Sequence, residues 1–109
     1  MTNEALLQAV RFACRVTTTT TTLDNELQEL ITSAFYDLEI SGVADANGAP
    51  YQVSTADQLV VTAVKTYVRL NLGDLISDTN YWEKLKASYD EQKAQLKMRT
   101  HSDPLYSGG

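Results

Sequence analysis

His101, Ser102 and Asp103 stand side by side and bring together the side-chain types of a nucleophilic triad. A triad needs those groups to converge from a rigid frame, and three chain neighbours cannot hold that geometry. Cys14 is the one cysteine and His101 the one histidine, far apart in the chain, so no zinc set is offered. Cys14 falls on the Leu6, Leu7 and Val10 side of a first helix, where it reads as a small buried apolar residue. Paired carboxylates such as Asp37 and Glu39 are two apart and point away from each other on a helix. No glycine-rich loop precedes a helix, so no phosphate cradle is expected. The acidic residues do not follow a calcium-loop pattern. The six tyrosines are spread along the chain. Amphipathic aromatics suit interfaces, but Tyr67 and Tyr89 read more simply as core. The expectation is a protein that is not an enzyme, with no catalytic, cofactor-binding or metal-binding residue.

The elements that must position these residues are helical. At 109 residues the chain reads as one domain, able to bury roughly 60–70% of its extended surface. Its hydrophobic fraction of 43% is that of an ordinary globular chain. A formal charge of −5 argues against a nucleic-acid-binding surface, which needs clustered Lys and Arg. Residues 1–80 carry four basic and ten acidic side chains, whereas residues 81–109 carry five and four. With no paired cysteine, no signal-peptide core and no bilayer-length apolar run, the expected setting is reducing and intracellular, without a membrane span.

Leu59, Val60, Ala63, Val64 and Tyr67 share a helical face that Val61, Val68 and Leu72 widen. A helix apolar over most of its surface is a central helix. Ser54 is its expected N-cap and Gly73 its expected left-handed stop. A first helix, capped by Thr2 or Asn3, is predicted to about Val16. The threonine run Thr17–Thr22 reads as an extended connector, because threonine disfavours helix. A second helix, capped by Thr22 or Asp24, follows to about Ile40, with Leu27, Leu30, Ile31, Ala34 and Leu38 in helical register. Ser41-Gly42 ends it. Asn47-Gly48 predicts a tight turn, with Val43–Ala44 able to pair with Ala49–Tyr51, although Pro50 works against that hairpin. Asp74-Leu75-Ile76 reads as a short turn over the core. A fourth helix starts between Asp78 and Asn80 and extends to about Arg99. Its stripe of Trp82, Leu85, Tyr89 and Leu96 is thin and holds the polar Gln92. Its second half, Gln92 to Lys97, is expected to project into solvent or dock on another chain. Residues 1–97 form the helical body and residues 98–109 a flexible C-terminal arm. Leu105 and Tyr106 are the only large apolar groups of the His101–Gly109 tail, so they are its candidate anchors. The fold expected is all-α, a small four-helix bundle with an extended C-terminal arm.

The pattern Ala34-x-x-Asp37-Leu38-x-x-x-Gly42-Val43, a loop, Lys65-x-Tyr67-Val68-x-x-Asn71-x-Gly73, and then Trp82 with Tyr89 seven residues on resembles the small head–tail connector (adaptor) proteins of tailed bacteriophages. The resemblance covers about residues 4–97. The threonine run and the length of the 43–53 loop depart from the pattern. The resemblance implies a ring of roughly twelve identical subunits in the virion neck, assembled in the host cytoplasm. Its partners would be copies of itself, the portal protein, and a head-closure or tail protein. The arm, through Leu105 and Tyr106, would reach the portal. DNA would pass through the channel without sequence-specific binding, and a net negative subunit suits a lumen that repels phosphate.

The competing reading is a small acidic binding or regulatory module acting through the second helix. That module would be a monomer or dimer and would hold a basic partner with salt-sensitive affinity.

Overall fold

The computed structural model describes residues 1–17, 20–72 and 79–101. Four helices make up the fold: α1 (Asn3–Ala13), α2 (Thr21–Ile40), α3 (Gln58–Asn71) and α4 (Thr79–His101). No strand occurs among the described residues, so the chain is an all-α bundle. α3 is the axis of the fold and packs on each of the other three helices. It buries Val60, Val61, Ala63, Val64, Thr66 and Val68, so nearly every face of it is covered. The expected central helix is therefore present. Leu6 and Val10 of α1, Leu27, Ile31, Ala34 and Leu38 of α2, and Tyr89 and Leu96 of α4 complete the core. Cys14 is buried among them, as its position on the α1 stripe predicts.

Several helix ends differ from the sequence reading. α1 stops at Ala13 rather than near Val16. Its end is a Schellman motif: the Val16 N–H donates to the Arg11 carbonyl at 2.9 Å and the Arg15 N–H to that of Phe12 at 3.1 Å. Arg15 stands in the left-handed region at φ +55°, a place usually taken by glycine. α2 ends in the same motif built conventionally. Gly42 has φ +91°, and the buried Val43 donates its N–H to the Leu38 carbonyl at 3.0 Å. α2 also starts earlier than expected. Thr20 is the N-cap and accepts from the Leu23 N–H at 3.2 Å, so Thr21 and Thr22 are helical rather than part of a connector. A threonine hydroxyl that caps a helix helps to start it, whereas inside the helix the same hydroxyl competes with the backbone. Thr18 and Thr19 lie outside the described residues.

The N-cap of α3 is Asp57, not Ser54. Its Oδ1 accepts from the N–H groups of Leu59 and Val60 at 3.1 Å each. Ser54 and Thr55 belong instead to a turn in which the Ala56 N–H donates to the Gln52 carbonyl at 2.9 Å. The tight turn near Asn47-Gly48 forms, with Gly48 at φ +80°. The hairpin does not: the Asp45 side chain takes the N–H groups of Asn47 and Ala49, at 2.9 and 3.0 Å, and a single backbone bond joins Asp45 to the Ala49 carbonyl. Gly73, the turn Asp74-Leu75-Ile76, and Asp78 lie outside the described residues.

The second half of α4 corrects the sequence reading most. It does not project from the body. Leu96 is fully buried and Thr100 is buried against the loop after α2. The Thr100 hydroxyl accepts from the Ala44 N–H at 3.2 Å and lies 2.8 Å from the Leu96 carbonyl. The helix runs on to His101, so residues 98–101 continue it. The stripe looked thin because part of the burial falls on Thr100, which apolar periodicity does not count.

Candidate interaction surface

α4 is held to the body by polar contacts along its length, and these shape the surface it leaves open. At its start, the Trp82 indole N–H donates to the Leu70 carbonyl at 3.2 Å, satisfying one of the carbonyls that the last turn of α3 leaves unpaired. Trp82 itself remains two-fifths exposed. In the middle, the Tyr89 hydroxyl donates to Asp37 Oδ2 at 2.5 Å, and Lys93 Nζ bridges to the same oxygen at 3.2 Å. Burial, then the Asp37 carboxylate, pushes the Tyr89 phenol far above its ordinary pKa, so it stays a donor. The Tyr89 ring meets that of Tyr67 edge-on, centroids 5.6 Å apart, and Lys93 lies over its face at 5.0 Å. Near the end of α4, Arg99 forms an ion pair with Asp57 at 2.7 Å and donates to the Tyr51 hydroxyl at 2.8 Å.

These contacts bring together five of the residues on which the family resemblance rests. Asp37, Tyr67, Asn71, Trp82 and Tyr89 come from three helices and line one cleft of about 200 Å³. Their spacing therefore encodes a junction between α2, α3 and α4. Apolar periodicity places Tyr67 and Tyr89 but is silent on the Asp37 partner. Lys86 and Asp90, one helix turn apart on α4, pair at 2.8 Å, whereas Lys93 pairs across to α2.

Outside this junction lies a wider groove of about 800 Å³ where the end of α2 faces α4. Ile40, Ala94 and Met98 give it apolar lining, and Asp90, Lys93 and Lys97 stand along it. Ile40 and Met98 are about two-thirds exposed. Phe12 on α1 is 89% exposed, the most exposed large apolar side chain described. Tyr36 is also largely open. The sequence reading singled out none of Phe12, Ile40, Tyr36 or Met98 as an open apolar group. Phe12 lies off the Leu6–Val10 stripe, and that offset was the available signal. Leu105 and Tyr106, the proposed anchors, lie outside the described residues.

No arrangement among the described residues resembles a catalytic centre. Burial raises the Cys14 thiol, with Arg69 pulling weakly the other way, which keeps it protonated and a poor nucleophile. No cluster of three potential metal ligands occurs among the described residues. No described helix is long and apolar enough to cross a membrane. Two of the five acidic groups of α2 are engaged internally: Asp24 by Arg11 and Asp37 by Tyr89 and Lys93. The open acidic face imagined for a binding module is thereby reduced to Glu26, Glu29 and Glu39.

Comparison with curated proteins and with solved structures returned no match. A family model described as "Phage connector protein" matches residues 6–103, nearly the whole chain and all four helices. The match covers more than half of the chain and accords with the helical bundle, and the chain belongs to the phage connector protein family.

Proposed function

We propose that the chain is a ring-forming subunit placed below the portal of a tailed phage. There it joins the filled head to the neck or tail and lines the channel through which DNA passes. The family match over residues 6–103 carries this reading, since connectors are structural and work through other head and tail proteins. The shape is compatible with it. The molecule measures 49 × 32 × 19 Å, a slab about two helices thick. Exposed Phe12, Tyr36, Ile40 and Met98 lie on α1, α2 and α4, so apolar contacts are available to neighbours on more than one element. The net negative charge suits a DNA conduit that must not adhere to phosphate. The arm, through Leu105 and Tyr106, is the contact to the portal.

Native mass measurement of the full chain, alone at high concentration and with portal-bearing capsids, tests the reading. Closed multimers of one size, or saturable attachment to the capsids, are expected. A chain that stays monomeric under both conditions overturns it. Truncation after His101 tests the arm separately, since it spares the Thr100 and Arg99 contacts. Attachment that survives truncation removes Leu105 and Tyr106 from the mechanism.

A further inference from the structure

A chain that builds a closed ring from identical copies needs two different patches that fit each other, one on each side of every contact. α1 and the α2–α4 groove supply such a pair. Phe12 projects from α1 at 89% exposure, so it does not occupy the groove of its own chain. The groove offers the apolar side chains of Ile40, Ala94 and Met98 in a space of about 800 Å³, ample for an aromatic ring and the helix turn that bears it. Sulfur–aromatic contact between Met98 and a phenyl ring adds to the burial.

The charges match as well. Along α1, Glu4, Gln8 and Phe12 follow one another at helical spacing on an exposed face, and the exposed Arg15 follows Phe12. The stripe is thus acidic at its start and basic just past its apolar knob. Along the groove, Asp90 and Lys97 are seven residues apart, about 10 Å on the helix. Arg15 lies about 4.5 Å past Phe12, and Asp90 about 6 Å before Ala94, by the same rise. With α1 antiparallel to α4 of a neighbour and Phe12 over Ala94, Arg15 approaches Asp90, since the one follows Phe12 by three residues and the other precedes Ala94 by four. In the parallel arrangement Arg15 falls opposite Lys97 instead. Glu4, Arg15 and Lys97 have no ion pair within the described residues, and Asp90 holds only the exposed Lys86.

We propose that copies of this chain associate head to tail, with Phe12 of one copy seated antiparallel in the Ile40–Ala94–Met98 groove of the next. The inference rests on the ring reading and names the surfaces that make it.

The test uses full-length chain in a Cys14→Ala background. Phe12→Cys and Ala94→Cys are made on separate chains and treated with a short bis-maleimide. Cross-linked dimers are expected only when the two chains are mixed, and a ladder when both substitutions share one chain. Phe12→Ala and Ala94→Arg should each weaken association by about tenfold or more. Both sites are exposed, so helical content by circular dichroism should not change. If the unsubstituted chain assembles while the mixed pair does not cross-link and Phe12→Ala assembles normally, the Phe12 contact is overturned and the ring stands. If the unsubstituted chain assembles under no condition, including with portal-bearing capsids, the ring reading and this contact fall together.

Discussion

The Tyr89 hydroxyl donates to Asp37 Oδ2 at 2.5 Å and links helices whose contacting residues are 52 positions apart. The same carboxylate receives Lys93, so one acceptor on α2 serves two donors on α4. α2 and α4 otherwise make little direct contact, since each packs chiefly on α3. This carboxylate is therefore the main tie between the two outer helices near the open groove.

Removing that tie should cost stability unequally from its two ends. Tyr89→Phe loses one charge-assisted hydrogen bond but leaves Asp37 with Lys93, and should cost about 1–2 kcal/mol. Asp37→Ala leaves two donors without a partner and should cost about 2–3 kcal/mol. The double variant should fall short of the sum, since both changes touch one network. Urea denaturation of the four proteins measures each term. Strict additivity would show that the hydroxyl and the carboxylate do not act together.

Asp57 makes stability depend on acid pH. Burial pushes its carboxyl up, but the Val60 N–H, Arg99 and the Leu59 N–H outweigh that and hold it below its ordinary pKa. A carboxyl lowered in the folded state contributes fully above its unfolded pKa, about 3.9. That contribution is lost as the pH falls through the lower folded value. Asp57→Asn keeps the helix cap, because asparagine accepts the same N–H groups, but removes the titration and the Arg99 ion pair. The variant should be less stable than the parent at neutral pH, with the gap closing as the pH falls through the acid range. Urea midpoints measured from pH 7 down to the acid limb would show it. A gap constant with pH would remove Asp57 from the acid response.

Much of this bundle could be read from periodicity, and what it missed depends on polar side chains and on neighbours that periodicity does not see. Val60, Ala63, Val64 and Val68 mark α3 because burial on nearly all sides leaves a dense apolar run. Leu27, Ile31, Ala34 and Leu38 mark α2 in the same way. Periodicity counts apolar side chains, so it missed burial by polar ones. Thr100 fixes the end of α4 through hydrogen bonds, and Lys93 reaches Asp37 rather than its own helix. Cap choice failed likewise, since Ser54 and Asp57 offer the same local chemistry and only the preceding turn at Gln52 decides between them. The exposed knob of Phe12 was legible only as an apolar residue on the wrong side of its helix. What it faces depends on a surface that other helices assemble.

Arg15 and Gly42 occupy the same position in two copies of one motif, and that equivalence allows a paired test. Both follow a helix C-cap, at φ +55° and +91°, and both sit inside the same pair of backbone hydrogen bonds. For a residue with a Cβ the left-handed region costs roughly 1–2 kcal/mol, which glycine avoids. At Gly42 an added Cβ would meet nothing within 4 Å, so Gly42→Ala reports conformational cost alone, about 1 kcal/mol of lost stability. Arg15→Gly should move stability the other way by a similar amount, raising the thermal midpoint. In the head-to-tail contact proposed above, the charge of Arg15 beside Phe12 would offset that conformational cost. If that charge meets Asp90 of a neighbour, Arg15→Gly yields a chain that melts higher and associates more weakly. Thermal melts at dilution and sedimentation at high concentration read the two effects separately. A variant that gains stability while associating as well as the parent would show that Arg15 has no part in the contact.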